Sequence, residues 1–269
     1  MDALGKGEAF RRRRALSEQK RLTVGTHEVI MELLNPFRLT VDGLYLSSNE
    51  EAFIPSPIIR LASELKDFAR DPLSVDPHVP VLSVYRGVYL KKDKDLFSTV
   101  RYDVTLVLPG SLGSEKNKTL SHYHNDFRKG LSYPEVYEVL YGTGHFLLQK
   151  PPERGGPQAI LVEARAGEGV LIPPNYGHMA INPGTETLIY SNLICATVEP
   201  LLDEFRKRRG GVYYELADGS FEKNPLYDWN VELVKKRGDT SLRNLYDRYV
   251  KGPSQFSYLC DPDQLHQAP

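Results

Sequence analysis

At 269 residues the chain is long enough for one large domain, or for a core domain with extensions. Its 41% hydrophobic and 26% charged residues describe an ordinary soluble globular protein, and a formal charge of −1 gives no net pull toward nucleic acid. No apolar run approaches the length of a membrane span, the first residues lack the apolar core of a signal peptide, and two sequence-distant cysteines, Cys195 and Cys260, argue against a disulfide framework and for a reducing cytoplasm.

Residues 1–78 read as an N-terminal extension, irregular but with helices. Arg11 to Arg14 form a basic run without interleaved aromatics, the pattern of a solvated helical face. Ile58, Ile59, Leu61, Ala62, Leu65 and Phe68 recur at helical spacing after Pro57, which suits a first turn, so a helix packing on the core is predicted there. Across 79–228 the pattern changes to short alternating or apolar runs at 81–90, 103–108, 119–124, 136–141, 144–149, 159–163, 169–172 and 188–195. Turn signals such as Pro109-Gly110, Gly142-Thr-Gly144 and Pro183-Gly184 separate them, and eight or so strands suffice to close a small barrel with room for one ligand. A helix is predicted at 199–210, with an acidic entry, a basic exit and a glycine stop. A hairpin follows around Asp218-Gly219, with 212–216 and Phe221 as its flanks. Residues 229–269 read as a C-terminal tail carrying one amphipathic helix at about 241–250.

The chemistry concentrates in His122-Tyr-His124, Glu135 and His178. On a strand, residues i and i+2 share a face, so His122 and His124 can reach one ion together. Imidazoles plus a carboxylate suit Fe2+, Mn2+, Zn2+ or Ni2+, with no thiolate to favour a structural zinc. Four protein ligands on an ion that prefers six leave positions for substrate or water. Glu135 and Glu138 have opposite parity, so only one can face inward, and the spacing to Gly142 favours Glu135. His145 reads as a surface or core-edge histidine, while His27, His78 and His266 carry no spacing argument.

These two blocks, the second running from Gly167 through Pro173, Asn175 and His178 to Asn182, resemble the two signature motifs of the cupin superfamily. The resemblance implies an all-β core, a cupin (jelly-roll) barrel, with the metal in its mouth. Two departures stand out. Asn175 occupies a position where glycine is usual, and ten residues rather than three or four separate His124 from the glutamate. Asparagine is the next-best residue for a left-handed turn, and the longer loop from Asn125 to Pro134 is expected near the barrel mouth.

Between about Pro80 and Tyr227 the chain resembles, more narrowly, the cupin-type glucose-6-phosphate isomerases. The residues that carry this are Val84-Tyr85, Thr105-Leu-Val-Leu-Pro-Gly110, Thr119-Leu-Ser-His-Tyr-His124, Glu135-Val-Tyr137, Gly142-Thr-Gly144, Ile172-Pro-Pro174 with His178, and Asn224-Pro225. The resemblance implies one divalent metal per subunit on His122, His124, Glu135 and His178, with Fe2+ preferred. It also implies a phosphate pocket lined by Tyr85, Thr105, Thr119 and Ser121, with Tyr137 reaching the sugar. Parity raises a difficulty, because Thr119 and Ser121 oppose His122 and His124; either a bulge intervenes or the threonine acts from the strand's start. The family's tyrosine after the last barrel strand is absent, Ile194-Cys195 standing in its place. Glu135 is the expected base for moving hydrogen between C1 and C2, by an enediol or a hydride-shift route, with Tyr137 assisting. A cupin dioxygenase or decarboxylase and a non-catalytic sugar-binding cupin are the alternatives. The expected partners are a sugar phosphate and a second copy in a homodimer, with neither nucleic acid nor membrane.

Overall fold

The computed structural model describes residues 31–33, 37, 39–48 and 51–267. Arg11 to Arg14 and His27 lie outside the described residues.

The strands that frame the site are β1 (Ile58–Leu61), β2 (Pro80–Arg86), β3 (Val100–Val107), β4 (Glu135–Tyr141), β5 (Thr143–Lys150), β6 (Gln158–Arg165), β7 (Gly169–Ile172), β8 (Gly177–Ile181), β9 (Leu188–Cys195) and β10 (Leu233–Arg237). They form a six-stranded sheet in the order β7-β4-β9-β3-β2-β1 and a four-stranded sheet in the order β8-β5-β6-β10. Every pairing is antiparallel except β6 with β10.

Alternation along each strand decides what lies between the sheets. Tyr137, Val139, Val170, Ile172, Leu188 and Tyr190 meet Phe146, Leu148, Val162, Ala164 and Ala180 in one buried cluster. The other face of the six-stranded sheet buries Tyr85, Tyr102, Val104, Val136 and Leu193 against Leu39, Val41, Leu44 and Leu46 from the N-terminal side and Leu245, Tyr246 and Tyr249 from the C-terminal side. The result is an all-β cupin barrel with both faces of its larger sheet covered.

Several elements depart from the expectation. Ile58–Leu61 is a strand, not a helix, and the helical part is α1 (Ala62–Leu65), continued by a 3-10 turn over Lys66–Phe68. The β-branched pair Ile58 and Ile59 finds a free edge on β2, opposite Val84 and Ser83, and ladder pairing overrides the helical spacing. The predicted strand at 119–124 is regular only at Tyr123–His124. The predicted helix at 199–210 shrinks to α2 (Asp203–Lys207) behind a two-residue strand, Pro200–Leu201. The hairpin at Asp218-Gly219 forms as Tyr213–Glu215 against Phe221–Lys223, and the C-terminal helix forms as α3 (Leu245–Lys251). The expectation against a disulfide is also corrected: the end of β9 and the C-terminal segment bring Cys195 and Cys260 together as a disulfide, Cα atoms 5.1 Å apart across 65 residues of sequence.

Glu138 shows what the outward parity of β4 is for. Its buried carboxylate accepts hydrogen bonds from the backbone N–H groups of Asn244 (2.6 Å) and Leu245 (2.8 Å), satisfying two donors at the start of α3. Burial pushes its pKa up, and those two bonds pull against the rise. Glu138→Ala should therefore lower stability by about 2–3 kcal/mol, the scale of hydrogen bonds to a charged group, with Glu138→Gln milder. Chemical denaturation measures it, and an unchanged midpoint for the alanine variant would contradict the anchoring role.

Candidate metal centre

His122, His124, Glu135 and His178 converge so that one ligand atom from each lies within 4.8 Å of all the others. Glu135 opens β4 and His178 lies on β8, in the opposite sheet. The backbones of His122 and His178 exchange hydrogen bonds in both directions, N to O at 3.1 and 2.9 Å, which sets their rings side by side.

Backbone carbonyls fix the orientation of each ring. Nδ1 of His122 faces Leu120 O at 3.0 Å, Nδ1 of His124 faces Tyr133 O at 2.9 Å, and Nδ1 of His178 faces Tyr176 O at a longer 3.5 Å. An acceptor at Nδ1 keeps the proton there and leaves Nε2 as a bare lone pair. The Nε2 atoms of His124 and His178 are buried without a hydrogen bond, each 3.3 Å from Glu135 Oε2. Burial, reinforced by the neighbouring imidazoles, pushes His122 down to about 3, so this ring is neutral at ordinary pH. Burial raises the Glu135 carboxyl, whereas positive charge and N–H donors on the His124 and His178 side pull it well below the usual carboxylate range, a place that a bound cation would fill. Lone pairs from neutral imidazoles and a carboxylate, packed together away from water, repel one another unless a cation sits among them. The donor set therefore fits a divalent metal.

The structure also resolves the parity difficulty. Lys118 pairs opposite Ile181 and His122 opposite His178, so four steps along one segment face three along the other. The extra residue is a bulge, and it turns Thr119 toward the same cavity as His122 and His124. Thr119 Oγ1 accepts from Ala180 N at 3.0 Å, leaving its own hydroxyl hydrogen for another partner. Thr105 and Tyr137 line the cavity too, and the Tyr137 hydroxyl donates to Glu135 Oε2 at 2.9 Å.

Two expected pocket residues lie elsewhere. Tyr85 points to the opposite face of β2, where its hydroxyl donates to Leu44 O and accepts from Leu46 N; its neighbours Val84 and Arg86 face the cavity instead. Ser121 is fully buried, and its hydroxyl donates to Met179 Sδ. Conversely, the sequence reading missed Arg60, Arg86, Arg101, Asp103, Tyr190 and Asn192, all in the cavity wall. Strict alternation from Leu82 and Val84 would have found Arg86. Ile194, at the position of the missing tyrosine, does face the cavity.

The two departures from the usual motif meet in space. Asn175 adopts φ 71°, as its place in the turn requires. Its Oδ1 accepts from Ser132 N, its Nδ2 donates to Gly130 O, both at 3.0 Å, and its own N–H donates to Ser132 Oγ at 2.7 Å. The side chain thus ties down the long loop, which forms a small hairpin, Asp126–Arg128 with Leu131–Ser132, and whose Tyr133 carbonyl orients His124.

A barrel of this kind, with three histidines and one glutamate converging in its cavity, defines a cupin whose donor set could hold a divalent ion. The family model described as glucose-6-phosphate isomerase (GPI) matches residues 69–232, more than half of the chain and all four converging side chains. The chain belongs to that family. It is 31% identical over 148 residues to the glucose-6-phosphate isomerase of Thermococcus litoralis, covering 55% of this chain and 68% of that protein. The Pyrococcus abyssi glucose-6-phosphate isomerase is 30% identical over 138 residues, covering 49% of this chain and 67% of the relative. Among solved structures, the oxalate decarboxylase of Bacillus subtilis superposes with a TM-score of 0.31 at 17% identity, over 42% of this chain and 25% of that one.

Asn175→Gly keeps the left-handed turn and removes only the side-chain ties. Hydrogen exchange of the Ser132 amide should then accelerate about tenfold, the scale of one lost hydrogen bond. Unchanged protection would show that the loop is held by its other contacts.

Proposed function

We propose that this protein interconverts glucose 6-phosphate and fructose 6-phosphate with one divalent ion per subunit on His122, His124, Glu135 and His178. Iron(II) is the preferred ion, and Mn2+, Zn2+ and Ni2+ are compatible with the same donors. The observation that carries the reading is that the matched segment, 69–232, contains every member of the convergent donor set. An ion held there would supply Lewis-acid polarisation of the sugar carbonyl.

The protein's own groups divide the remaining work. Glu135 Oε2 is engaged by Tyr137 and faces the two imidazoles, whereas Oε1 makes no hydrogen bond among the described residues. We assign Oε1 as the atom that takes the proton from one of the two reacting carbons and returns it to the other. The Tyr137 hydroxyl holds the carboxylate in this orientation and lies where it can exchange a proton with a sugar oxygen. Burial, with the Glu135 charge beside it, raises the Tyr137 pKa, so the phenol stays protonated and able to donate. Leu120, Val84 and Ile194 supply the apolar stretches of the surrounding wall.

A coupled assay on fructose 6-phosphate, with and without chelator, tests this directly. Chelation should abolish turnover and Fe(II) or Mn(II) should restore it; full activity in metal-stripped protein, verified by elemental analysis, would refute the reading. Glu135→Gln should cut kcat by roughly 10²–10⁴-fold, as for loss of a general base, while Glu138→Gln leaves it near wild type. The opposite ranking would reverse the two carboxylates' roles.

The assembly we assign is a homodimer, and the Cys195–Cys260 disulfide removes the cysteine argument for a reducing cytoplasm. No helix among the described residues is long and apolar enough to cross a membrane. Strand β1 is an edge of the larger sheet, and Ile58 (37%), Leu61 (37%), Phe53 (42%) and Val79 (42%) are exposed in the segments around it, a surface suited to a second copy. Analytical ultracentrifugation should return a dimer that Ile58→Lys weakens; a monomeric wild type would rule the dimer out.

A further inference from the structure

Three arginines share the cavity with the metal ligands, and their surroundings differ. The Arg60 guanidinium is paired with Glu64 at the rim. Arg101 is clamped from one side: its Nε contacts both carboxylate oxygens of Asp103, at 2.8 and 2.9 Å, and Asp103 is itself held by the Gly87 N–H at 2.9 Å. The two terminal nitrogens of Arg101 make no hydrogen bond among the described residues. The Arg86 side chain makes neither hydrogen bond nor ion pair with any described residue, although its backbone stands directly opposite Asp103 in the β2–β3 ladder.

Ladder register gives the span from these groups to the reacting end. Glu135 on β4 faces Ile194 on β9, which faces Arg101 on β3; Tyr137 faces Asn192, which faces Asp103, which faces Arg86. Each step is one strand spacing, so the backbone of Arg101 lies about 10 Å and that of Arg86 about 14 Å from β4. A six-carbon sugar with one end at Glu135 has that span to bridge if its charged group is to meet the arginines, which line the same cavity.

We infer that Arg86 and Arg101 seat the phosphate of the substrate, with Asp103 positioning Arg101; this rests on the sugar-phosphate reading above. A guanidinium offers paired N–H donors that match phosphate oxygens, and it stays charged at any working pH. Asp103 takes only the Nε edge of Arg101 and turns the terminal donors toward the cavity. Arg86 supplies the cation that no carboxylate offsets. The hydroxyls of Tyr85 and Ser121, expected from the family resemblance to line this pocket, are committed to Leu44, Leu46 and Met179, which leaves Thr105 and Thr119 as neutral neighbours of the arginine pair. The consequence is selection for the phosphorylated hexose by charge.

Steady-state kinetics on metal-loaded Arg86→Gln and Arg101→Gln, paired with calorimetric titration of inorganic phosphate, test the assignment. Each substitution should raise KM for fructose 6-phosphate by about ten- to hundredfold while kcat falls far less, because a phosphate contact remote from the reacting carbons is shared by ground and transition states. Phosphate binding should weaken in parallel, and Arg101→Lys should recover part of the loss. Arg86 is exposed and unpaired, so its variant should melt like the parent, which separates binding from folding. Unchanged KM and unchanged phosphate binding in both variants would overturn the assignment. Wild-type protein that binds phosphate through Arg86 yet fails to turn over fructose 6-phosphate would overturn the isomerase reading and leave the anion seat standing.

Discussion

Strand β4 has a two-residue period, and the site follows from it. Glu135 and Tyr137 turn inward, one to the converging imidazoles and the other to hold its carboxylate, while Val136 and Glu138 turn outward to the covering layer. A slip of one residue would reverse the two faces, turning Glu138 toward the cavity and Glu135 toward the covering layer. The tight β4–β5 turn at Gly142, with φ 77°, and the pairing of β4 on both sides, to β7 and β9, hold the register against that slip.

The parts of the site legible in the sequence were those written in short-range spacing. His122 and His124 two apart, Glu135 measured from Gly142, and His178 in its own turn could be read because each depends on a few neighbouring residues. The expected phosphate pocket was harder to read, because it depends on which face of β2 looks inward. The family resemblance suggested Tyr85, but the structure puts Tyr85 under the N-terminal segment and brings Arg86 into the cavity. Thr119 could be placed only once the bulge was seen, since one extra residue reverses the parity on which the argument rested. At the scale of elements, Ile58 to Leu65 carries an apolar spacing compatible with a helix, and only the open edge of β2 decides for a strand over its first half. The parallel strand β10 and the Cys195–Cys260 link join segments far apart in sequence, and no local pattern reports such a meeting.

Asn175 and the long Asn125–Pro134 loop look like two unrelated irregularities in a familiar motif. In space they are one adaptation. A glycine at position 175 would make the same turn but offer nothing to the longer loop; the asparagine amide supplies an acceptor and a donor for it. Because the Tyr133 carbonyl at the end of that loop also fixes the His124 ring, the loop's extra length is coupled to the geometry of the converging donor set.

The covering layer on the larger sheet has a bearing on how this protein compares with its relatives. The matched segment, 69–232, stops before β10 and α3 and begins after β1. What evolution has kept recognisable is thus smaller than what the chain assembles physically. A fragment cut at the homologous limits would keep all four converging side chains, yet it would strip the partner from the outer edge of β6, take from the Glu138 carboxylate both its backbone donors and the layer that covers it, and free Cys195 from its link. Shared ancestry and mechanical self-sufficiency have different borders in this molecule.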